Sequence, residues 1–261
     1  MKKILSLWLI LMFSMTLYSC VEITYEGVYQ TYESYLEDHS DDYESLMTFY
    51  NTLTTMTIKG TVTIKSTVEV LDYSAIGSGF IYLEDDTHYY ALTNSHVVGA
   101  NLTFNHSIQV TDITGDIYPG TLIAFETDYD IAVIQFAKEK TLPVFEFALA
   151  NVDHRVNVFV LGHPDGQING LMMGEYLDMT TVSLSEQSIG TVDFQVLKLN
   201  VPVQPGSSGS VVINEDYLVV GMVFAGSYND HSQVTTYSYA IPVEKILEYL
   251  EAQDLMAGNP S

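Results

Sequence analysis

The chain contains few basic residues and a single cysteine. Of its 261 residues, 9 are Lys or Arg and 33 are Asp or Glu, so its formal net charge is −24. Such a polyanion repels nucleic acid and anionic lipid head groups, which argues against a nucleic-acid partner. A single cysteine also excludes an intrachain disulfide. The fold must therefore be stabilised by core burial, for which the hydrophobic content of 47% is ample.

The chain has no uninterrupted apolar run of the length of a transmembrane helix. Its most apolar stretch, ILSLWLILMFSMTL at residues 4–17, follows Lys2 and Lys3 and is shorter than the roughly 18 residues that a membrane span needs. The stretch ends in LYSC, which resembles a bacterial lipobox. That resemblance implies a lipoprotein signal peptide over residues 1–19, a lipid on Cys20, and a cell-membrane location facing the extracellular or periplasmic side. The alternative is an unmodified thiol at the edge of a signal peptide.

The segment after the signal peptide is acidic and leads into a helical pattern. Residues 21–56 hold eight carboxylates and no Lys or Arg. Within them, the run DDYESLMTFYNTL places apolar residues at helical spacing after acids that suit a helix N-terminus. We predict three regions after the signal peptide: an acidic spacer at 20–44, a domain at 45–253 that begins with a short helix, and a tail at 254–261.

From residue 57 onward, apolar and polar residues alternate, which is typical of strands. Eight runs rich in Val, Ile, Thr, Tyr and Phe carry this pattern: TVTIKSTVEVL, GFIYLE, HYYALTN, DIAVIQF, RVNVFVLG, TVDFQVLKLNV, SVVIN and YLVVGMVFAG. No helical run interrupts them, so a parallel βαβ architecture is not expected. About a dozen short strands predict two antiparallel barrels or a sandwich. The one late helical pattern is PVEKILEYLEAQ, with Pro242 at its start.

The histidines and glycines form no pattern of a metal or phosphate site. No pair of histidines has metal-ligand spacing with a carboxylate or thiol partner, and no glycine loop precedes a helix as it does in phosphate-binding loops. We therefore expect no metal and no cofactor. His163, in HPDG, is expected in a turn, and four other histidines are expected in loops or at their edges: His88, His106, His154 and His231.

Three segments could supply a serine nucleophile and its partners. GSSGS, at residues 206–210, is either a flexible surface loop or a tight turn that presents one hydroxyl. A serine needs a base to take its proton and an anion to orient that base. His96 follows a strand in ALTNSHVV, and Asp130 begins an apolar strand in TDYDIAVIQF. A histidine or an aspartate beside a strand is common for structural reasons, so these residues alone leave both interpretations open.

Six motifs in series resemble one protein family. They are GSGFIY (77–82), LTNSHVV (92–98), DYDIAVIQF (128–136), VFVLGHPDG (158–166), QPGSSGS (204–210) and YAIP (239–242). In this order and at this spacing they resemble the trypsin-like serine proteases of the bacterial HtrA/Deg type, over about residues 57–250. The resemblance implies an all-β fold of two antiparallel six-stranded barrels, at about 57–140 and 156–242, with a short N-terminal helix and a C-terminal helix.

The resemblance also implies a role for each matched residue. Ser208 would be the nucleophile, His96 the general base, and Asp130 the acid that orients it, with Asp128 as the less favoured alternative. The N–H groups of Gly206 and Ser208 would form the oxyanion hole. The implied substrate-binding residues are Phe224, Ala225 and Gly226, which would pair with an extended substrate, and Pro202 and Tyr239 in the pocket. The implied activity is that of a serine endopeptidase acting on extracellular or misfolded polypeptides through an acyl-enzyme.

The chain departs from the family pattern at several points. Ser207 stands where digestive trypsins have an Asp that pairs with a newly freed N-terminus, so activation by that salt bridge is not expected. Ser210 replaces a glycine of many relatives, as in the glutamyl-endopeptidase branch, but the His that this branch often carries in its substrate-binding strand is missing. Pro202 offers no acidic pocket floor, so we expect a small or medium apolar substrate side chain there. About 50 residues follow Ser208, so we expect no PDZ domain of the kind that many relatives carry.

A catalytically silent surface lipoprotein, which would keep the fold only as a binding module, is the alternative function. All three triad positions hold the residue types that the chemistry requires, and this favours the enzyme. A fluorophosphonate probe, which reacts with activated serines, distinguishes the two because it would label Ser208 only in the enzyme.

Overall fold

The computed structural model describes residues 44–99, 106–149, 155–166, 170–182, 192–228 and 235–256. The chain divides into two compact units, Met1–Tyr50 and Asn51–Ser261. Helix α1 covers residues 44–55, and its first seven residues are the described part of the first unit. The predicted signal peptide, the predicted lipid site Cys20 and the acidic spacer up to residue 43 lie outside the described residues. Within the described ranges, no helix has the length and hydropathy of a membrane span.

Six antiparallel strands form the first barrel. They are β1 (Thr61–Val68), β2 (Tyr73–Glu84), β3 (His88–Thr93), β4 (Ser107–Asp112), β5 (Ile117–Glu126) and β6 (Ile131–Ala137). Their order around the barrel is β1-β2-β3-β6-β5-β4, and β1 pairs with β4 to close it. Strands that are consecutive in the chain and adjacent in the barrel can be joined by short turns. Between β2 and β3, the Asp85 carboxylate accepts the N–H groups of Thr87 and His88, each at 2.7 Å.

Six further strands form the second barrel. They are β7 (Asn157–Gly162), β8 (Gly170–Thr180), β9 (Val196–Leu199), β10 (Val211–Ile213), β11 (Val219–Tyr228) and β12 (Thr235–Pro242). Their order, β7-β8-β9-β12-β11-β10, repeats that of the first barrel, and β7 pairs with β10 to close it. The prediction of two six-stranded antiparallel barrels is confirmed, and the sandwich alternative is wrong.

Each barrel encloses its own apolar core, because alternate residues of a strand face the same side of the sheet. The fully buried side chains include Val62, Ile64, Ile81, Val110 and Ile134 in the first barrel and Val158, Val160, Leu197, Leu199 and Val212 in the second. Burial of each such side chain contributes about 1.5–3 kcal/mol. In a chain with one cysteine, these two cores provide the stability that disulfides provide elsewhere.

Two further helices and three 3-10 turns complete the described structure. Helix α2 is Ser95–Val98, helix α3 is Val243–Ala252, and the 3-10 turns are Thr57–Gly60, Glu69–Leu71 and Pro164–Gly166. Helix α3 has Pro242 as its N-cap, as the sequence predicts. The packing continues past residue 253, the predicted end of the domain. Leu255 is buried, and its carbonyl accepts a hydrogen bond from the Tyr82 hydroxyl at 3.3 Å.

Some strands differ in extent from the eight runs that predicted them. The strand of TVTIKSTVEVL ends at Val68, because residues 69–71 form a 3-10 turn and Asp72 takes the left-handed conformation with a φ of 47°. TVDFQVLKLNV forms a strand only over Val196–Leu199. Four strands, β4, β5, β8 and β12, lie outside those eight runs.

Candidate active site

Asp130 lies between β5 and β6, and its side chain is 2% exposed. Its φ of 53° is in the left-handed region, which aspartate adopts more readily than most residues. The carboxylate oxygen Oδ1 accepts hydrogen bonds from the Ser95 hydroxyl at 2.8 Å and from the His96 N–H at 3.1 Å. The Asn94 side-chain amide donates to the Asp130 carbonyl at 3.0 Å. These bonds satisfy a carboxylate that would otherwise be costly to bury, and they fix its orientation.

His96 lies in helix α2, directly after β3, with its side chain 26% exposed. Its Nδ1 lies 2.8 Å from Oδ2 of Asp130. An ionised carboxylate only accepts hydrogen bonds, so Nδ1 carries the hydrogen of this contact and Nε2 keeps a lone pair. Asp128, the alternative acid, is exposed. The structure therefore brings His96 together with Asp130.

Ser208 lies in the loop between β9 and β10, within the turn of residues 206–210. Within this turn, the N–H groups of Ser207, Gly209 and Ser210 donate to the carbonyls of Gln204, Val223 and Ser207 at 3.0, 2.8 and 3.0 Å. Among the described residues, none accepts a hydrogen bond from the N–H groups of Gly206 and Ser208. Two free donors on alternate residues of a tight turn are what a developing oxyanion requires.

The helix of His96 and the loop of Ser208 meet at Gly77 in β2. A Cβ atom at Gly77 would lie 2.6 Å from Cγ2 of Val97 and 3.0 Å from the carbonyl oxygen of Ser208. Side chains do not approach so closely, so only glycine lets β2 pass between the two segments. The N–H of Ser78, the next residue, donates to the same Ser208 carbonyl at 2.7 Å. The three predicted catalytic residues are thus carried by segments that adjoin where the barrels touch.

The predicted substrate-binding residues lie on β11, β12 and the loop before Ser208. Ala225 pairs with Tyr239, and Gly226 pairs with Ser238, so one side of this part of β11 is occupied by β12. On its other side β10 begins only at Val211, opposite Met222 of β11. Within the described ranges, no strand pairs with that edge of β11 beyond Val223. The predicted residues differ in exposure: Phe224 is buried, Ala225, Gly226 and Tyr239 are half-buried, and Pro202 is exposed.

None of the residues that hold the candidate catalytic groups was predicted from the sequence. Ser95 and Asn94 bind Asp130, and Ser78 binds the loop of Ser208. All three belong to the quoted motifs GSGFIY and LTNSHVV: Asn94 and Ser95 directly follow β3, and Ser78 lies within β2. That placement could have indicated them, but it does not specify which group each one contacts.

His163, expected in a turn, is fully buried between the barrels. Its Nε2 lies 2.9 Å from the Thr61 hydroxyl in β1, and its N–H donates to the Ser78 hydroxyl at 2.8 Å. Burial lowers the pKa of His163 below its ordinary value, since the charged form is poorly solvated there. The imidazole is therefore neutral near neutral pH. Among the described residues, no group of three or more His, Cys, Asp or Glu side chains could hold a metal ion.

Comparison with known proteins identifies the family. The sequence model of the family described as "Trypsin-like peptidase domain" matches residues 77–222, more than half of the chain. The chain belongs to the trypsin-like peptidase family. This trypsin-like peptidase is 30% identical over 186 residues to the serine protease Do-like HtrB of Bacillus subtilis, covering 66% of this chain and 38% of that protein. It is 29% identical to the mouse serine protease HTRA4, covering 68% of this chain and 34% of that protein. The chain thus spans between a third and two fifths of the length of these relatives.

Solved structures of two other proteases have the same fold. The active form of the Rv3671c protease from M. tuberculosis superposes with a TM-score of 0.63 at 20% identity, covering 78% of this chain and 84% of that one. The HtrA-type protease AlgW with a tripeptide gives a TM-score of 0.62 at 17% identity, covering 80% of this chain and 64% of that one. At these identities the likeness supports the two-barrel fold alone.

Proposed function

We propose that this chain is a serine endopeptidase in which Ser208, His96 and Asp130 act as a catalytic triad. The proposal depends above all on the 2.8 Å contact between His96 Nδ1 and the buried Asp130 carboxylate, next to a loop with two unpaired N–H groups. A serine hydroxyl needs an oriented base and preset oxyanion donors to attack an amide. The His96–Asp130 contact supports the first requirement, and the two N–H groups from which no described residue accepts a hydrogen bond support the second.

In the first half of the proposed reaction, the substrate acylates Ser208. Ser208 Oγ bonds to the carbonyl carbon of the scissile peptide while its proton moves to Nε2 of His96, and the imidazolium is stabilised by Asp130. The carbonyl oxygen becomes an oxyanion that accepts hydrogen bonds from the N–H groups of Gly206 and Ser208. The C–N bond then breaks, His96 gives its proton to the leaving amine, and an ester of Ser208 remains.

In the second half, water hydrolyses this ester. His96 takes a proton from the water as its oxygen bonds to the acyl carbon, and the same N–H groups stabilise the second oxyanion. The ester C–O bond breaks, the proton returns from His96 to Ser208 Oγ, and the carboxylic acid product leaves. Each half of the reaction begins with neutral His96 acting as the base, so we expect activity to fall in acid.

We further propose that the substrate is an extended polypeptide, extracellular or misfolded, that pairs with the free edge of β11 at Phe224, Ala225 and Gly226. This proposal is supported by the absence of a strand partner on that edge among the described residues. A small or medium apolar side chain before the scissile bond would lie near Pro202 and Tyr239. A lipid on Cys20 would tether the enzyme to the outer side of the cell membrane and raise its local concentration there.

A fluorophosphonate probe tests the proposed nucleophile. The probe should label the wild-type chain and should not label Ser208→Ala. Ser210→Ala is the matched control, because it removes a hydroxyl from the same loop, and Ser210 is buried without a hydrogen-bond partner for that hydroxyl among the described residues. This control should label like the wild type. A folded wild type that never labels, even with peptide present, would instead favour the catalytically silent binding module.

A further inference from the structure

Ser78, in β2 of the first barrel, connects that barrel to the loop of Ser208 in the second. It is fully buried. Its N–H donates to the carbonyl of Ser208 at 2.7 Å, and its hydroxyl donates to the carbonyl of Gly206 at 2.8 Å. One residue therefore binds the carbonyl groups of both residues whose N–H groups would form the oxyanion hole.

Neighbours from both barrels fix the orientation of Ser78. The N–H of His163, at the end of β7, donates to Ser78 Oγ at 2.8 Å, and the Thr93 hydroxyl donates to the Ser78 carbonyl at 2.7 Å. A serine hydroxyl has one hydrogen to donate. Because the contact with His163 uses the oxygen as an acceptor, that one hydrogen is available to the Gly206 carbonyl.

The backbone around Ser78 is packed too closely for water to replace its hydroxyl. A Cβ atom at Gly162 would lie 2.8 Å from Ser78 Oγ, and one at Gly209 would lie 1.9 Å from the Ser78 carbonyl oxygen. Removing the hydroxyl leaves a void about as large as one oxygen atom, which is smaller than the space that a water molecule needs. The bond to Gly206 would therefore be lost without a substitute.

We propose that Ser78 is a positioning residue that keeps the oxyanion donors of Gly206 and Ser208 directed at the substrate; this inference rests on the proposed function. Both carbonyls are bound on the β2 side, so the N–H groups of the same two residues are left unpaired for a ligand. Gly206 depends on this bond most, because its φ of 86° is one of several conformations that glycine readily adopts.

This role of Ser78 accounts for how the loop is ordered in a chain with Ser207 in place of an aspartate. Ser207 is uncharged, so it cannot form the ion pair with a freed N-terminus that the Asp of digestive trypsins forms. The Ser207 hydroxyl instead accepts the N–H of Gln204 at 3.2 Å, within the loop itself. The bonds from Ser78 come from the other barrel, so they hold the loop relative to His96 and Asp130, and no cleavage of the chain is needed to form them.

The test compares Ser78→Ala with Tyr82→Phe in the full chain. Each change removes a buried hydroxyl of β2 that donates to a distant backbone carbonyl, and the Tyr82 bond to Leu255 lies outside the proposed site. Phosphonylation places an oxygen in the oxyanion hole, so the rate constant of fluorophosphonate labelling reports on the donors. Turnover of denatured casein, with kcat and KM determined separately across pH, is the second measurement.

For Ser78→Ala we expect the labelling rate constant and kcat to fall about 10- to 100-fold, with KM within about twofold of wild type. Complete loss of one oxyanion donor costs about 10²–10³ in kcat, and here one donor is misdirected for part of the time. The shape of the pH profile should stay that of the wild type, because His96 and Asp130 are unchanged. Tyr82→Phe should match the wild type. Wild-type rates in Ser78→Ala, equal losses in Tyr82→Phe, or a displaced pH profile would overturn the inference.

Amide hydrogen exchange provides a readout that does not depend on activity. The amides of Ser207, Gly209 and Ser210 should exchange faster in Ser78→Ala, and not in Tyr82→Phe, because their bonds depend on an ordered loop. If the wild type neither labels nor cleaves, the proposed function fails, while unchanged exchange in Ser78→Ala would refute the positioning role by itself. If Ser78→Ala does not fold, Ser78→Cys keeps a side-chain donor that is larger and weaker than the hydroxyl. It should label about three- to tenfold more slowly than the wild type, and labelling at the wild-type rate would contradict the inference.

Discussion

The two barrels hold their parts of the proposed active site by different kinds of hydrogen bond. In the first barrel, side chains bind one another: Asp130 is held by the hydroxyl of Ser95 and by the imidazole of His96. In the second, the groups that are bound are mainly backbone N–H and carbonyl groups of the loop of Ser208, and this loop turns at two glycines with φ of 86°. Substitutions in the first barrel should therefore change the chemistry with little change in fold. Substitutions in the second should change the backbone and lose chemistry as a consequence.

Asp130→Asn should have the largest effect on the chemistry. The asparagine amide can donate to His96 Nδ1 and would hold the imidazole in the wrong tautomer, so we expect kcat to fall about 10⁴-fold. The free energy of unfolding should fall by less than about 2 kcal/mol, because Asn keeps an oxygen for the Ser95 hydroxyl. Turnover of denatured casein and urea unfolding measure the two quantities. Asp128→Asn is the control and should behave as wild type; an equal loss in that variant, or full activity of Asp130→Asn, would remove Asp130 from the triad.

Gly209→Ala should have the largest effect on the backbone. Its φ is 86°, and the added Cβ would lie 1.9 Å from the Ser78 carbonyl oxygen. Gly115 is a matched control, with a φ of 88° and open space around the position of a Cβ. The left-handed conformation should cost each alanine variant about 1–2 kcal/mol. The crowded site should add about 1–3 kcal/mol to Gly209→Ala alone, with loss of fluorophosphonate labelling. Equal unfolding midpoints in urea for the two variants would contradict the packing described here.

Lys140→Met tests side-chain bonding in the first barrel away from the site. Burial alone would raise the pKa of Asp112, but hydrogen bonds from Lys140, Thr114 and Tyr118 outweigh it and lower the pKa to about 2. Removing Lys140 should cost about 2–3 kcal/mol at neutral pH, less than the 3–5 kcal/mol of a fully buried pair because the lysine is partly exposed. Lys138→Met, whose partner Glu84 is exposed, should destabilise the fold much less than Lys140→Met.

The pH dependence of that difference has a defined sign. Folding lowers the pKa of Asp112 from its ordinary value of 3.8 to about 2. The Asp112 carboxylate therefore contributes its full stability at a pH above 3.8, and this contribution is lost as the pH falls toward about 2. The gap in unfolding free energy between wild type and Lys140→Met should therefore be full at neutral pH and shrink in acid. A gap that stays constant down to about pH 3 would show that Lys140 acts through something other than the Asp112 charge.

His163 should produce the smallest of these effects. Its pKa is lowered by burial from an ordinary value of 6.5, so below that pH the unfolded chain takes up a proton that the folded chain does not. Stability is fully present above this range and is lost as the pH falls through it. Between about pH 7 and about pH 5, the wild type should lose more unfolding free energy than His163→Gln. Parallel curves for wild type and His163→Gln would contradict the burial of that imidazole.

The period of two in most of the strands predicted two antiparallel barrels or a sandwich, and the resemblance to the protease family favoured the barrels. The period of two did not single out β5, where Pro119 and Gly120 interrupt the pattern. In the structure Gly120 is needed: a Cβ there would lie 2.8 Å from Ile108 and 2.9 Å from Ile134. Strand β9 is shorter than its run because the pattern of alternation does not specify where pairing ends.

The sequence also predicted which residues could form the triad, because each stands in a short motif beside a strand. It could not predict the role of Ser78, which binds Gly206, a residue 128 positions away. Nothing in a local pattern distinguishes a serine that binds another barrel from one that only fits a crowded strand. The burial of His163 could not be predicted from a local pattern either, because it results from contacts of the end of β7 with β1 and β2.

A crystal structure of the protein after reaction with a fluorophosphonate tests the central claim most directly. We predict phosphorus bonded to Ser208 Oγ, with its oxygen about 2.7–3.1 Å from the N–H groups of both Gly206 and Ser208, and His96 still bound to Asp130. Phosphorus on another residue, or an oxygen that neither N–H group binds, would contradict the proposed active site.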